Sequence, residues 1–148
     1  MTERSERALE VFKRCNCSQA VLSAFGPDLG LNHTDCLRVA ACFGAGMGRM
    51  GKSCGALTGG LMVLGLRHAK EMAEDPQAGR DAVYGRVQEL TRQFETRHGS
   101  SECRVLTGCD MTTAAGRAEF AQRNLHHTLC DQLVKDVVEL LEPGPVAG

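Results

Sequence analysis

The sequence predicts an all-α fold: a single-domain helical bundle of about six to seven helices, with a Gly-rich loop leading into a central apolar helix. Apolar residues recur at spacings of three and four along most of the chain, which is the helical period. No stretch alternates, or runs β-branched for long enough, to read as a convincing strand. Cap residues and Gly or Pro breakers fall between the periodic stretches. A chain of 148 residues is large enough to bury one core, and no repeat or linker divides it. The domain is expected over residues 1–141, with 142–148, ending Pro143-Gly-Pro-Val-Ala-Gly148, as a disordered tail.

Each element follows from local pattern. Glu3 to Lys13 places Ala8, Leu9, Val11 and Phe12 on one side. Asn16 is an N-cap, with Gln19 completing a capping box, and opens a helix through Ala20, Val21, Leu22 and Phe25 that Gly26-Pro27 ends. A short helix is expected from Thr34 to about Phe43. The loop Gly44–Gly51 then leads, with Ser53 as cap, into a helix from Cys54 to about Glu74 that is apolar on nearly every side. Glycine costs about 1 kcal/mol per interior helix position. Gly55, Ala56, Gly59 and Gly60 therefore imply close approach by another backbone, from this chain or from a twin in a homodimer. Asp75-Pro76 marks a turn. Gln77 to His98 is amphipathic, with Val83, Tyr84, Val87, Leu90 and Phe94 on one face. Gly99-Ser-Ser101 breaks it and caps a turn near Cys103. Gly108 to Thr113 reads as irregular, Ala114 to Asn124 as a weak helix, and Leu125 to Leu141 as a strong one.

Composition narrows function. The 17 Lys+Arg balance 18 Asp+Glu, and aromatics make up 4% with no Trp. A basic stripe and a base-stacking platform are both lacking, which argues against nucleic acid. The longest apolar-leaning run, Cys54 to Leu66, is 13 residues, against the ~20 that span a bilayer. The start, MTERSERALE, has no apolar leader region, so a cytoplasmic protein without membrane attachment is expected. Cysteine is the outlier, with eight at 15, 17, 36, 42, 54, 103, 109 and 130. They could form disulfides, ligate a metal or cluster, or do thiol redox chemistry. A reducing compartment disfavours the first.

Two motif matches overlap in the loop. Gly46-Met-Gly-Arg-Met-Gly51-Lys52-Ser53 fits the P-loop pattern, and Gly46-x-Gly48-x-x-Gly51 fits the dinucleotide fingerprint. Both need a preceding strand inside a parallel sheet, which the rest of the chain does not supply. The loop then reads as a turn between helices, or as a device by which Gly46, Gly48, Gly51 and Gly55 let backbone approach a cofactor held by Cys54.

No C-x-x-C occurs, so local zinc and ferredoxin knuckles are excluded. Position in the helices says more. Cys17 follows Asn16, Cys54 follows Ser53, and Cys103 lies two residues after Ser101. A first-turn position favours the thiolate through free N–H groups and the macrodipole. Cys130 joins them if Thr128 is a cap, and does not if its helix starts at Asn124. Cys36 and Cys42 read as small core residues, with Cys15 and Cys109 left open. His126-His127 beside Cys130 could supply a nitrogen ligand, although helix-end histidines are the commoner outcome.

Asn16-Cys17-Ser-Gln-Ala-Val-Leu22, Phe43-Gly-Ala-Gly-Met-Gly-Arg-Met-Gly-Lys-Ser-Cys54-Gly-Ala-Leu-Thr-Gly59, Cys103-Arg-Val-Leu-Thr-Gly108 and Cys130-Asp-Gln-Leu-Val134 together resemble a known family. It is the family of redox-active proteins named after their cysteine pattern, C_GCAxxG_C_C, and the resemblance covers roughly residues 5–141. It implies that Cys17, Cys54, Cys103 and Cys130 are the functional set. A related module is fused to split-Soret type cytochromes, where an iron–sulfur centre is associated with it. The resemblance thus implies an iron–sulfur cluster on these four cysteines and electron transfer with a redox partner protein. Two alternatives stay open. One is a cluster-free thiol/disulfide oxidoreductase or redox sensor, in which a Cys54 thiolate attacks and Cys17 or Cys103 resolves. The other is a structural zinc site. This chain departs from the family in carrying four further cysteines, and Lys52 where members often have an acidic residue.

Overall fold

Side-chain oxygens start most of the helices. In the computed structural model, which describes residues 1–143, Thr2 and Ser5 form a capping box ahead of α1 (Glu3–Phe12). Asn16 and Gln19 form a second ahead of α2 (Cys17–Phe25), as the sequence predicts. Asn32 caps α3 (His33–Val39), which stops short of Phe43; Ala41–Phe43 is a separate 3-10 turn. A one-turn segment, α4 (Gly44–Met47), precedes the long α5 (Gly55–Glu74). Asp75 caps α6 (Pro76–His98), with Pro at its first position, where a missing N–H costs nothing. After the short α7 (Cys103–Thr107), Thr113 caps α8 (Ala114–Gln122). Asn124 turns the chain with φ +52°. A π-turn over His126–Cys130 then runs directly into α9 (Asp131–Leu141).

The fold is all-α, with nine α-helices among the described residues. The count exceeds the sequence expectation because α4 and α7 are single turns too short to show a period. Among the described residues the only β-type pairing is an isolated antiparallel bridge between Ser53 and Glu102. Among the described residues no helix is long and apolar enough to cross a membrane. Of the expected tail, 142–148, only Glu142 and Pro143 are among the described residues. The Glu142 N–H still donates to the Val138 carbonyl, and the Thr2 hydroxyl donates to the Glu142 carboxylate. Residues 144–148 lie outside the described residues.

Helix α5 occupies the middle, packed on α2, α6 and α9, while α1 closes the side between α2 and α9. Leu22, Phe25, Val63, Phe94, Val134 and Val137 are fully buried between them. The glycines of α5 serve this packing. A Cβ at Gly59 would lie 2.8 Å from the Ser18 carbonyl oxygen, and one at Gly60 would lie 2.8 Å from a Val137 methyl. The close backbone that the small-residue stretch implies is therefore α2 of the same chain.

Asn16 does more than cap α2. Its Oδ1 accepts from the Gln19 N–H at 2.9 Å, and its Nδ2 donates to the Ala41 carbonyl at 3.0 Å. Ser18 Oγ donates to the Ala40 carbonyl at 2.8 Å, and Gln19 Nε2 to the Leu37 carbonyl at 2.8 Å. The start of α2 thus pins the segment that leads into the glycine loop. An Asn16→Ala variant is expected to lose about 1–2 kcal/mol, from one cap and one side-chain bond. A urea unfolding midpoint measures this, and an unchanged midpoint would contradict the role.

Candidate metal centre

Three helix starts meet at one end of the bundle. Cys17 is the first residue of α2, Cys54 is the N-cap residue of α5, and Cys103 is the first residue of α7. Backbone pairing joins the last two. The Cys54 N–H donates to the Ser101 carbonyl at 2.8 Å, and the Cys103 N–H to the Lys52 carbonyl at 2.7 Å, on either side of the Ser53–Glu102 bridge. Cys17 comes from the α2 side, and its sulfur rests on Gly55, where a Cβ would lie only 2.2 Å away. Cys130 arrives at the end of the π-turn. All four line one cavity of about 580 Å³, together with Cys15, Arg49 and His126.

The glycine loop forms a wall of this cavity through a left-handed turn. From Ala45 to Arg49 the φ angles are +53°, +69°, +66°, +66° and +70°, so Ala45, Met47 and Arg49 adopt a conformation that disfavours side chains. Each such residue costs about 1–2 kcal/mol, and such strain persists only where the surroundings over-determine it. Four amides of this segment are bonded within it. Gly48 and Arg49 donate to the Gly44 carbonyl at 2.8 and 3.2 Å, Gly51 to Ala45 at 3.3 Å, and Lys52 to Gly46 at 2.9 Å. With those amides used and no strand before them, the P-loop and dinucleotide matches are coincidences of spacing.

A family model described as "Putative redox-active protein (C_GCAxxG_C_C)" matches residues 15–143, which takes in all five cysteines of the cavity and the loop. The chain belongs to the C_GCAxxG_C_C family. No curated protein and no solved structure matches the chain. The family match starts at Cys15 and so leaves all of α1 outside, whereas the span expected from the motifs, 5–141, takes in most of that helix.

In this C_GCAxxG_C_C protein burial works against the thiolate. Burial raises the Cys17 pKa, while the amides of Ala45, Ser18 and Gly55 around its sulfur oppose the rise. Burial pushes the Cys54 thiol far up, and the neighbouring Cys17 adds to this. Burial pushes Cys103 up to about 11, with Cys17 next in effect. Cys130 is pushed up to about 12 by burial, then by Cys17 and Cys103. Desolvation outweighs the helix starts, which reverses the expectation that these cysteines would be low-pKa thiolates. Each ionised sulfur also hinders the next, so a bound cation is what would let all four deprotonate.

Local details differ from the sequence reading. Ser53 does not cap α5; no side-chain hydrogen bond does, although the amides of Ala56 and Leu57 face the Cys54 sulfur. Ser101 donates to the Glu95 carboxylate at 3.0 Å and leaves Glu102 as the N-cap residue of α7. Thr128 caps nothing, since its hydroxyl donates back to the Asn124 carbonyl, and Cys130 lies within a continuous helical stretch. Cys42 is exposed, not packed in the core, whereas Cys36 and Cys109 are fully buried. The Ala45 amide of the loop faces the sulfur of Cys17, not that of Cys54. Nothing in an alanine between two glycines signals that role. Gly46, Gly48 and Gly55 line the cavity. Gly51 is instead buried against Arg104, where a Cβ would come within 3.0 Å of the Arg104 Cβ.

Proposed function

We propose that Cys17, Cys54, Cys103 and Cys130 hold an iron–sulfur cluster, and that this family member exchanges electrons with a redox partner protein. The observation that carries the reading is the convergence of four thiols from four separate segments on one cavity. Four thiolates are the donor set of [2Fe–2S] and [4Fe–4S] centres. The surroundings fit such a group. Desolvated, mutually repelling sulfurs need a positive centre, and the amides facing Cys17 and Cys54 are ready N–H···S donors. When bound, the cluster supplies one-electron transfer at a potential set by these donors and by burial. Arg49 on the cavity wall offsets negative charge, and Phe12, Leu106, Met111 and Phe120 keep that wall apolar. Cys17, Cys103 and Cys130 are each only half-buried, so a partner can approach from that side. A reducing, cytoplasmic setting suits a chain whose eight cysteines are all free thiols. The raised thiol pKa values weigh against Cys54 as a resting thiolate nucleophile.

Protein purified without oxygen is expected to be brown, with broad visible absorption, and to contain iron and acid-labile sulfide. A chain that stays colourless after reconstitution with iron and sulfide would overturn the cluster. One zinc per chain in colourless protein would assign the same four cysteines to a structural zinc site instead.

A further inference from the structure

The π-turn that carries Cys130 also builds a second donor set. In an α-helix consecutive side chains diverge by about 100°, so His126 and His127 would face different ways. A π-turn closes on residue i+5 in place of i+4, which brings Asp131 back toward His126. Asp131 also remains four residues from His127, and its Oδ2 lies 3.2 Å from His127 Nδ1. His126, His127 and Asp131 consequently each offer a ligand atom, all within 4.8 Å of one another.

The first of these rings is held in place. The His126 imidazole stacks on Phe12 at 4.0 Å and 13°, which fixes the plane of the ring. His127 meets the His126 ring edge-on at 4.9 Å. The side chains of His127 and Asp131 are 57% and 35% exposed, so an ion can reach them from solvent.

We propose that His126, His127 and Asp131 form a site for a divalent first-row transition metal of the zinc class, at the mouth of the thiol cavity that His126 lines. Metal–ligand bonds of about 2.0–2.1 Å put tetrahedral donors roughly 3.3 Å apart. The triad therefore needs to close by at most about 1.5 Å, within rotamer adjustment of exposed His127 and half-buried Asp131. Two imidazoles and a carboxylate suit zinc, iron(II) or nickel, whereas the four thiols are the softer set. Three protein ligands leave a coordination position for water or an anion entering the cavity, as catalytic zinc sites do. The donors are distinct from the four cysteines, so this site stands or falls independently of the cluster.

The test is equilibrium dialysis of full-length wild-type, His127→Gln and Asp131→Asn proteins against Zn²⁺ without oxygen, with imidazole NMR of the same samples. Wild type is expected to bind one zinc more per chain than either variant, and Zn²⁺ should shift the ring signals of both His126 and His127. Both variants should keep the iron content and helical circular dichroism of wild type. Equal zinc uptake by all three proteins, or unmoved ring signals, would overturn the site. Wild-type protein that stays colourless after reconstitution yet shows the zinc-dependent ring shifts would sink the cluster and leave this site standing.

Discussion

A Cys54→Ser variant is expected to lose the iron and sulfide bound by the wild-type protein while keeping its fold. Cys54 is 5% exposed and stands at the N-cap of α5, with Cys17 and Cys103 both close enough to raise its pKa. Serine has nearly the same size but an alcohol far too basic and too hard to replace a soft thiolate ligand. For the helix, however, serine is the better residue. The amides of Ala56 and Leu57 already face this side chain, and a serine oxygen there would cap α5, a gain of about 1 kcal/mol at most. Binding and stability are thus expected to move independently. Iron and sulfide analysis with the visible spectrum reads the first, and thermal melting of the apo-protein reads the second. Wild-type colour and iron content in Cys54→Ser would remove Cys54 from the ligand set. Cys42→Ser is the control, since Cys42 is exposed and lies outside the cavity.

That same residue shows where the chain could be read and where it could not. Asn16 and Gln19 were legible as a capping box because every atom involved lies within four residues. The glycine-rich face of α5 was legible because glycine is costly in a helix unless another backbone comes close. The meeting of Cys54 with Cys103 was not legible. It rests on two backbone hydrogen bonds and an isolated bridge between segments with no strand pattern, which no periodicity announces. Ser53 and Ser101 looked like caps because serine is a common cap, but their backbones are used in or beside that bridge. The sign of the thiol pKa shifts was also hidden. A helix start favours the thiolate from sequence alone, while the opposing desolvation depends on packing that only the assembled fold provides. His126 and His127 were visible as a pair, yet the π-turn that lets both face Asp131 leaves no mark in composition.

The left-handed loop yields the sharpest separation of strain from packing. Gly46 and Gly48 have nearly the same backbone, at φ +69° and +66°, so alanine at either pays about 1–2 kcal/mol for the conformation alone. Their surroundings differ. A Cβ at Gly48 would have the Cys42 carbonyl oxygen at 3.4 Å, an ordinary contact. A Cβ at Gly46 would lie 2.6 Å from the Lys52 nitrogen and 2.7 Å from both the Lys52 oxygen and the Cys103 Cβ. Those neighbours cannot retreat freely. The Lys52 N–H is bonded to the Gly46 carbonyl, and the Lys52 carbonyl accepts from Cys103. Relief would therefore break the pairing that sets Cys103 beside Cys54. Overpacking of this kind adds about 1–3 kcal/mol, so Gly46→Ala is expected to cost roughly 2–5 kcal/mol against about 1–2 for Gly48→Ala. Gly46→Ala should also bind markedly less iron, whereas Gly48→Ala should bind it fully. Urea unfolding of the two apo-proteins, with iron analysis after reconstitution, makes the comparison. Equal losses in both variants would mean that the loop's conformation alone governs. In that case Gly46 would not be the contact through which the loop positions Cys103.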